Sequence, residues 1–274
     1  MTATSSDTPA PSVETVRLGR GPVALEVKGL TKSYGTAEKR RRVLDDVTFE
    51  VHQGEFVTVV GPSGAGKTTM LRCLAGLLAP DQGQVVLEGR PVTGPPRGLS
   101  LVFQDYSRSL LPWMTVLDNV ILPLRAAKLP RPQRRERALE SLKAVGLGDV
   151  PNLYPWQMSG GMQQRAAIAR ALASEPEVLL MDEPFASVDA QTRADLEDLT
   201  LQLQRRLNMT IVLVTHDIDE AVYLADRVVV LSGAPTSVTE IVGVPLGRER
   251  DQVTTKLKSS FGEIRAHVLG LVRH

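Results

Sequence analysis

Gly61-Pro62-Ser63-Gly64-Ala65-Gly66-Lys67-Thr68-Thr69 follows the β-branched run Val57-Thr58-Val59-Val60 and precedes the helical pattern Met70-Leu71-Arg72-Cys73-Leu74-Ala75. The order is strand, glycine-rich loop, helix. Glycines at 61, 64 and 66 permit a tight turn whose successive backbone N–H groups face phosphate oxygens, and the helix opening near Lys67 adds the positive end of its dipole. Lys67 then reaches the β- and γ-phosphates of a nucleotide, Thr68 offers a hydroxyl to a Mg²⁺ that bridges them, and Thr69 is a candidate for the α-phosphate. A lone GxGxxG would leave open a turn that binds nothing. The whole GxxxxGK[ST] pattern, set between a strand and a helix, makes nucleoside triphosphate binding the expectation on which the rest is built.

Composition bounds what surrounds this loop. The 274 residues are 42% hydrophobic and 23% charged, enough for one large α/β core or a core with a smaller lobe. Thirty-two Lys+Arg against 31 Asp+Glu leave a formal charge of +1, so no global field draws the chain to nucleic acid or anionic lipid. Membrane association has to come through a partner. No apolar run approaches the about 18 residues of a spanning helix, and the N-terminus lacks the apolar core of a signal peptide, so a cytoplasmic chain is expected. Cys73 is the single cysteine, which excludes an intramolecular disulfide, and it reads as a small buried hydrophobe.

Residues 1–22, rich in Thr, Ser, Pro and Ala without apolar periodicity, read as a disordered tail. Order begins with the alternating strand Ala24-Leu25-Glu26-Val27-Lys28 and a second strand around Val43 to Val51, an antiparallel flap ahead of the core. Lys39-Arg40-Arg41-Arg42 between them reads as a solvated hairpin loop, since a basic run this short in a balanced chain is no nucleic-acid patch. Tyr34, ahead of the phosphate loop, is a candidate to stack on a base, although an aromatic on a strand more often serves packing. Val85 to Gly89 and Leu99 to Phe103 are further strands, the latter ending in Gln104. From about Leu110 to Pro155 the character turns helical, with helices expected over Thr115 to Ala127 and Pro132 to Val145. This reads as a helical lobe inserted into the α/β core, and its Arg-rich run at 131–137 as the solvated face of a helix.

Two further constellations carry chemistry. Ser159-Gly160-Gly161, at the start of a helix, offers a hydroxyl, backbone N–H groups and a positive helix end, a second anion-binding turn. Val178-Leu179-Leu180-Met181-Asp182-Glu183 is a buried strand ending in two carboxylates. Such carboxylates are costly there without a cation, so Asp182 fits a Mg²⁺ ligand and Glu183 a general base. Thr210 to Thr215 is a second such strand, and it delivers His216 and Asp217 to the same edge, where ligands bind in open α/β sheets.

The order of these parts resembles the ATP-binding subunits of ABC transporters, over roughly residues 24 to 232. That resemblance implies a P-loop NTPase core with an antiparallel β flap and an inserted helical subdomain at about 105–165, the whole ATPase domain spanning 23–246 with a C-terminal extension over 247–274. It implies ATP and Mg²⁺ as cofactors and a homodimer sandwiching ATP head to tail. By the same resemblance Tyr34 stacks on adenine, Gln104 senses between Mg²⁺ and the helical lobe, Asp189 lies in a cross-dimer loop and His216 contacts the γ-phosphate. Catalysis then falls to Glu183, His216, Gln104 and Lys67, with Thr68, Gln104 and Asp182 around the metal. The family's Leu-Ser-Gly-Gly-Gln turn has Met158 and Met162 at its ends here, changes that spare the serine and both glycines.

Leu110-Leu111-Pro112-Trp113-Met114-Thr115-Val116-Leu117-Asp118-Asn119-Val120 and Ser159 to Arg165 look like the nitrate/sulfonate/taurine importer ATPases, as does Arg248-Glu249-Arg250-Asp251. Ser107-Arg108-Ser109 lengthens the stretch after Gln104 relative to that group. The implied partners are a membrane permease and, through it, a solute-binding protein, with the chain peripheral on the inner membrane face and no nucleic acid bound. A soluble, non-transport ABC ATPase would need a coiled-coil insertion or a second ATP module. A P-loop kinase would need an acceptor pocket and would not explain the Ser-Gly-Gly turn.

Overall fold

The computed structural model describes residues 21–36, 39–104 and 109–273. The tail expected over residues 1–22 lies outside them except for Gly21 and Pro22, and so do Ser107 and Arg108. Gly21 and Pro22 belong to the folded body: the Pro22 carbonyl accepts from Gln53 N at 2.9 Å, and that of Gly21 faces His52 Nδ1 at 2.9 Å.

The chain opens as an antiparallel pair, β1 (Val23–Tyr34) against β2 (Arg41–His52), with Val27 opposite Phe49 and Leu30 opposite Val47. The ladder reaches further into the basic cluster than a hairpin loop over Lys39 to Arg42 would. Tyr34 pairs with Arg41 and Ser33 with Arg42, while carboxylates neutralise the charge, Arg42 on Asp45 at 2.8 Å and Arg40 on Asp81 at 2.9 Å. β3 (Phe56–Val60) then leads through the phosphate loop into α1 (Lys67–Leu74), and β4 (Gln82–Leu87) and β5 (Arg90–Pro91) complete a four-stranded sheet in the order β2-β1-β4-β5.

The central sheet adds β6 (Leu99–Val102), β7 (Val178–Asp182), β8 (Thr210–Val214), β9 (Arg227–Ser232) and β10 (Ser237–Gly243) to β3, in the order β10-β9-β3-β8-β7-β6. All pairings are parallel except β10 on β9. Every residue of β3, β7 and β8 is buried, as strands covered on both faces require, and the near-continuous Val/Ile/Leu runs of the sequence are the result. Alternate side chains divide between two cores. Phe56, Val60, Leu179, Met181, Ile211 and Leu213 pack toward the helical lobe. Val57, Val59, Leu180, Val212 and Val214 pack with Met70, Leu71 and Leu74 of α1 and with the four-stranded sheet. Cys73 is buried in this second core, its thiol pushed up to about 11 chiefly by burial.

Between β6 and β7 lie α2 (Val116–Ile121), α3 (Arg131–Ala144) and α4 (Gly160–Leu172). The single helix expected over Thr115 to Ala127 is shorter. Thr115 caps α2 by accepting from Asp118 N at 3.1 Å, and the chain tightens into a 3-10 turn at Leu122–Arg125, where Pro123 has no N–H to continue the α ladder. After β7 come α5 (Ala190–Leu207), then β8, α6 (Ile218–Leu224) and the two last strands, and α7 (Ser259–Arg273) closes the chain. No helix among the described residues is long and apolar enough to cross a membrane.

Asn119 fastens the entry to the lobe. Fully buried, it accepts from Leu111 N at 2.7 Å and turns its amide toward the carbonyls of Leu111 (3.1 Å), Met114 (3.2 Å) and Thr115 (3.0 Å). Asn119→Ala strands these backbone groups without water and should cost roughly 2–3 kcal/mol. A lower urea midpoint at unchanged slope is the expected result.

Candidate active site

The phosphate loop is shaped by what glycine permits. Gly66 sits at φ +72°, in the left-handed region, and a Cβ there would lie 2.6 Å from Val43 Cγ1, so the loop is pressed against β2. Its carbonyl accepts from Met70 N at 2.8 Å, the first bond of α1. Lys67, the first residue of α1, is buried and turns back along the loop, donating to the carbonyls of Gly61 at 2.8 Å and Pro62 at 3.1 Å. Burial lowers its pKa, and the charges of Glu183 and Asp182 oppose that shift. Thr69 is one helix position from the metal candidate Thr68, and its hydroxyl lies 3.4 Å from Tyr34 Oη; the Tyr34 side chain is 43% exposed, open to a planar partner.

The second group of residues gathers at the ends of β7 and β8. Asp182, at the end of β7, is buried with its pKa raised first by that burial and held down by a hydrogen bond from Thr68 and by the charges of Arg72 and Lys67. Glu183 follows at φ +42°, an uncommon conformation for a residue with a Cβ, costing about 1–3 kcal/mol. The neighbouring strand holds it there, since Glu183 N donates to Val214 O at 2.9 Å. So turned, the side chain meets two of the other predicted residues. Gln104 Nε2 donates to Glu183 Oε2 at 3.0 Å, and His216 Nδ1 stands 3.0 Å from the same oxygen.

Oxygen donors from Thr68, Asp182, Glu183 and the Gln104 amide are the chemistry of a hard divalent cation. No group of three or more His, Cys, Asp or Glu side chains able to hold a metal by themselves occurs among the described residues. The set therefore fits a Mg²⁺ whose remaining ligands are phosphate oxygens and water, as in phosphoryl-transfer sites.

The Ser-Gly-Gly turn belongs to a third group. Ser159 caps α4, its hydroxyl accepting from Met162 N at 3.3 Å, and a Cβ on Gly161 would strike Thr192 Cγ2 at 2.5 Å. Thr192 in turn gives its N–H to Asp189 Oδ1 at 3.0 Å and its hydroxyl to Asp189 Oδ2 at 2.7 Å. The structure thus sets Ser159, Gly160 and Gly161 beside Asp189. Among the described residues no hydrogen bond or ion pair joins this turn to the phosphate loop. Met158 is buried in the helical core and Met162 packs against it, the places where the turn departs from Leu and Gln.

Sequence reading missed the supports behind His216. Thr215 Oγ1 accepts from Asp217 N at 3.0 Å, Asp217 caps α6 by accepting from Glu220 N at 3.1 Å, and Arg193 reaches Asp217 at 3.4 Å. Only the carboxylate spacing Asp217 to Glu220 at the start of an apolar helix signalled them.

Comparison with known proteins places the chain in a family. Residues 44–186 match the family model described as ABC transporter. The nitrate transport protein NasD of Klebsiella oxytoca is 40% identical over 249 residues, covering 89% of this chain and 94% of that one. The taurine import ATP-binding protein TauB of Yersinia pseudotuberculosis is 41% identical over 252 residues, covering 90% and 96%. Among solved structures, a dimeric ATP-binding cassette in a post-hydrolysis state with ADP and Pi aligns at TM-score 0.70 and 35% identity, over 80% of this chain and 98% of that one. With a phosphate loop, an acidic strand end and a Ser-Gly-Gly turn on one such fold, the chain belongs to the ABC transporter ATP-binding family and is an ATP-binding, ATP-hydrolysing subunit of that kind.

Proposed function

We propose that two copies of this chain sandwich ATP head to tail and, by closing and opening, drive a membrane permease that imports a small anionic or zwitterionic solute of the nitrate, sulfonate and taurine class. The convergence of Gln104 and His216 on Glu183 Oε2, beside the buried Asp182, carries the hydrolytic part of the reading. Lys67 gives up two carbonyl contacts to bind the β- and γ-phosphates, and Tyr34 stacks on the adenine. Thr68, Asp182 and Gln104 would hold Mg²⁺, which would supply neutralisation of the phosphate charge. Glu183 accepts the proton of the water that attacks the γ-phosphorus as the bond to the β–γ bridging oxygen breaks and ADP leaves, and His216, held against Glu183, faces the γ-phosphate.

The separation of the Ser159 turn from the phosphate loop supports the dimer. Ser159 and Asp189 are linked through Gly161 and Thr192 and make no hydrogen bond or ion pair to their own chain's phosphate loop among the described residues, as suits a pair that meets a partner's nucleotide. ATP then joins the two chains, and loss of the γ-phosphate releases them. Trp113 and Trp156, 71% and 70% exposed, suit the helical lobe to a permease surface, with Trp156 stacked on Tyr154 at 5.9 Å. A chain with no spanning helix among its described residues reaches the membrane through that contact, on its inner face, and a solute-binding protein supplies the permease from the other side.

Lys67→Ala removes a charge-assisted contact of about 1.5–3 kcal/mol and should weaken ATP binding by the corresponding tenfold or more, measured by calorimetry. Glu183→Gln should keep ATP binding, slow hydrolysis roughly 10²–10⁴-fold, since a carboxamide accepts no proton, and accumulate an ATP-bound dimer on size exclusion.

The composite site has a sharper test. In a background of Glu183→Gln, a Lys67→Ala chain mixed with a Ser159→Arg chain assembles one intact and one doubly damaged site, whereas each alone has none. ATP occluded in the mixed dimer, isolated through two different tags, is the expected result. Mixed dimers that occlude no more than either parent would show that Ser159 serves its own chain.

A further inference from the structure

The segment after β10 does more than end the chain. Arg250 donates to the carbonyls of Tyr223 at 2.6 Å and Ala225 at 2.8 Å, gripping the C-terminal end of α6, where a cation also complements the helix dipole. Two residues on, Gln252 Nε2 lies 2.9 Å from Glu197 Oε2, 3.1 Å from Asp198 Oδ1 and 3.3 Å from the Ala194 carbonyl, all on α5. Tyr223 of α6 donates to the same Asp198 at 2.6 Å, and Lys256 stands 4.9 Å over the Tyr223 ring. The segment 250–256 therefore braces α5 to α6. Asp189 caps the first of these helices, and Asp217, next to His216, caps the second.

A buried carboxyl pair lies between the braced helices. Glu197 and Glu220 are 2% and 4% exposed, and Glu220 Oε1 has no partner. Thr215 neighbours the Glu220 carboxyl and holds its pKa down, and the Thr215 hydroxyl also takes the Asp217 N–H at 3.0 Å. This chain of contacts fixes the backbone on both sides of His216. We propose that Glu220 is a positioning residue of the hydrolytic site, holding the His216 imidazole against Glu183 through Thr215, and that Gln252, through Glu197, sets how firmly it does so. The inference rests on the roles proposed above for Glu183 and His216.

The charges around Glu220 favour its protonated form. Burial and then the neighbouring Glu197 raise its pKa to about 8; Asp217 adds to the rise, and Thr215 and Arg193 oppose it. Lys256 sits on the far side of Glu197, at 4.0 Å. A protonated carboxyl has one donor and one acceptor, which glutamine reproduces and alanine does not. The sign of the pH effect follows. A carboxyl whose pKa is raised on folding leaves the fold unpenalised below its unfolded pKa, and stability is lost as pH rises through the folded value. Glu220→Gln is free of that loss.

The test measures ATP turnover and melting temperature for Glu220→Ala, Glu220→Gln and Gln252→Ala beside Glu183→Gln. Glu220→Ala should lower kcat about tenfold with KM for ATP within about twofold, because the substrate contacts stay and only the reacting geometry loosens. Glu220→Gln should retain most of the parental kcat and melt higher than the parent at pH 8 and above, and Gln252→Ala should fall between. A kcat for Glu220→Ala within twofold of the parent, or an equal loss in Glu220→Gln, overturns the proposal. If Glu220→Ala does not fold, the pH profiles decide. A parental kcat that falls above about pH 8 while that of Glu220→Gln stays level supports it, and parallel profiles overturn it. A normal turnover in Glu183→Gln would instead remove the hydrolytic reading beneath it.

Discussion

Lys67, Asp182 and Glu183 bring one ammonium and two carboxylates to a single edge of a parallel sheet, and most of the molecule exists to make that arrangement tolerable. Each charge alone would be expensive there: burial lowers the pKa of Lys67 and raises that of Asp182. Each is also the other's partial compensation. The backbone carbonyls of Gly61 and Pro62 occupy the ammonium, the Thr68 hydroxyl supports Asp182, and Gln104 and His216 share one oxygen of Glu183. A site so balanced by its own members leaves room for the phosphate charge of the ATP that the family binds.

Holding those charges requires a stiff frame, and the central sheet supplies it. β3, β7 and β8 are buried along their whole length and run parallel, so their C-terminal ends all open on the same edge. The strain at Glu183 is carried by that frame, because its N–H is committed to Val214 on the adjacent strand. The same hydrogen bond that pays for the unusual backbone also aims the side chain.

The remaining parts form a second, separable group. Gly161 admits Thr192 at a distance no side chain would allow, and Thr192 is bound to Asp189, so the Ser-Gly-Gly turn packs directly on the start of α5. The first half of α5 is tied to α6 through Gln252 and Tyr223. A nitrate transport protein and a taurine import ATP-binding protein each share about two fifths of this sequence over nearly all of the chain, so relatives named for different solutes are similarly close to it.

Much of this was legible without coordinates, because a phosphate loop needs particular residues at particular spacings. Gly61 to Thr69, the Asp182-Glu183 strand end and Ser159-Gly160-Gly161 are local solutions to binding anions and cations, written in consecutive residues. The apolar runs at 57–60, 178–181 and 210–214 likewise showed strands covered on both faces. Boundaries were less legible: Pro123 cut short the helix expected from Thr115, and pairing with Tyr34 and Ser33 drew Arg41 and Arg42 into β2. Tertiary structure alone decided that Gln104, Glu183 and His216, up to 112 positions apart in the sequence, meet on one oxygen atom. It alone showed that Gln252 reaches Glu197, and that Glu220 lies buried with an oxygen unpaired. Those facts depend on where strands and helices pack against each other, and burial and distance between remote residues leave no period or motif in the chain that forms them.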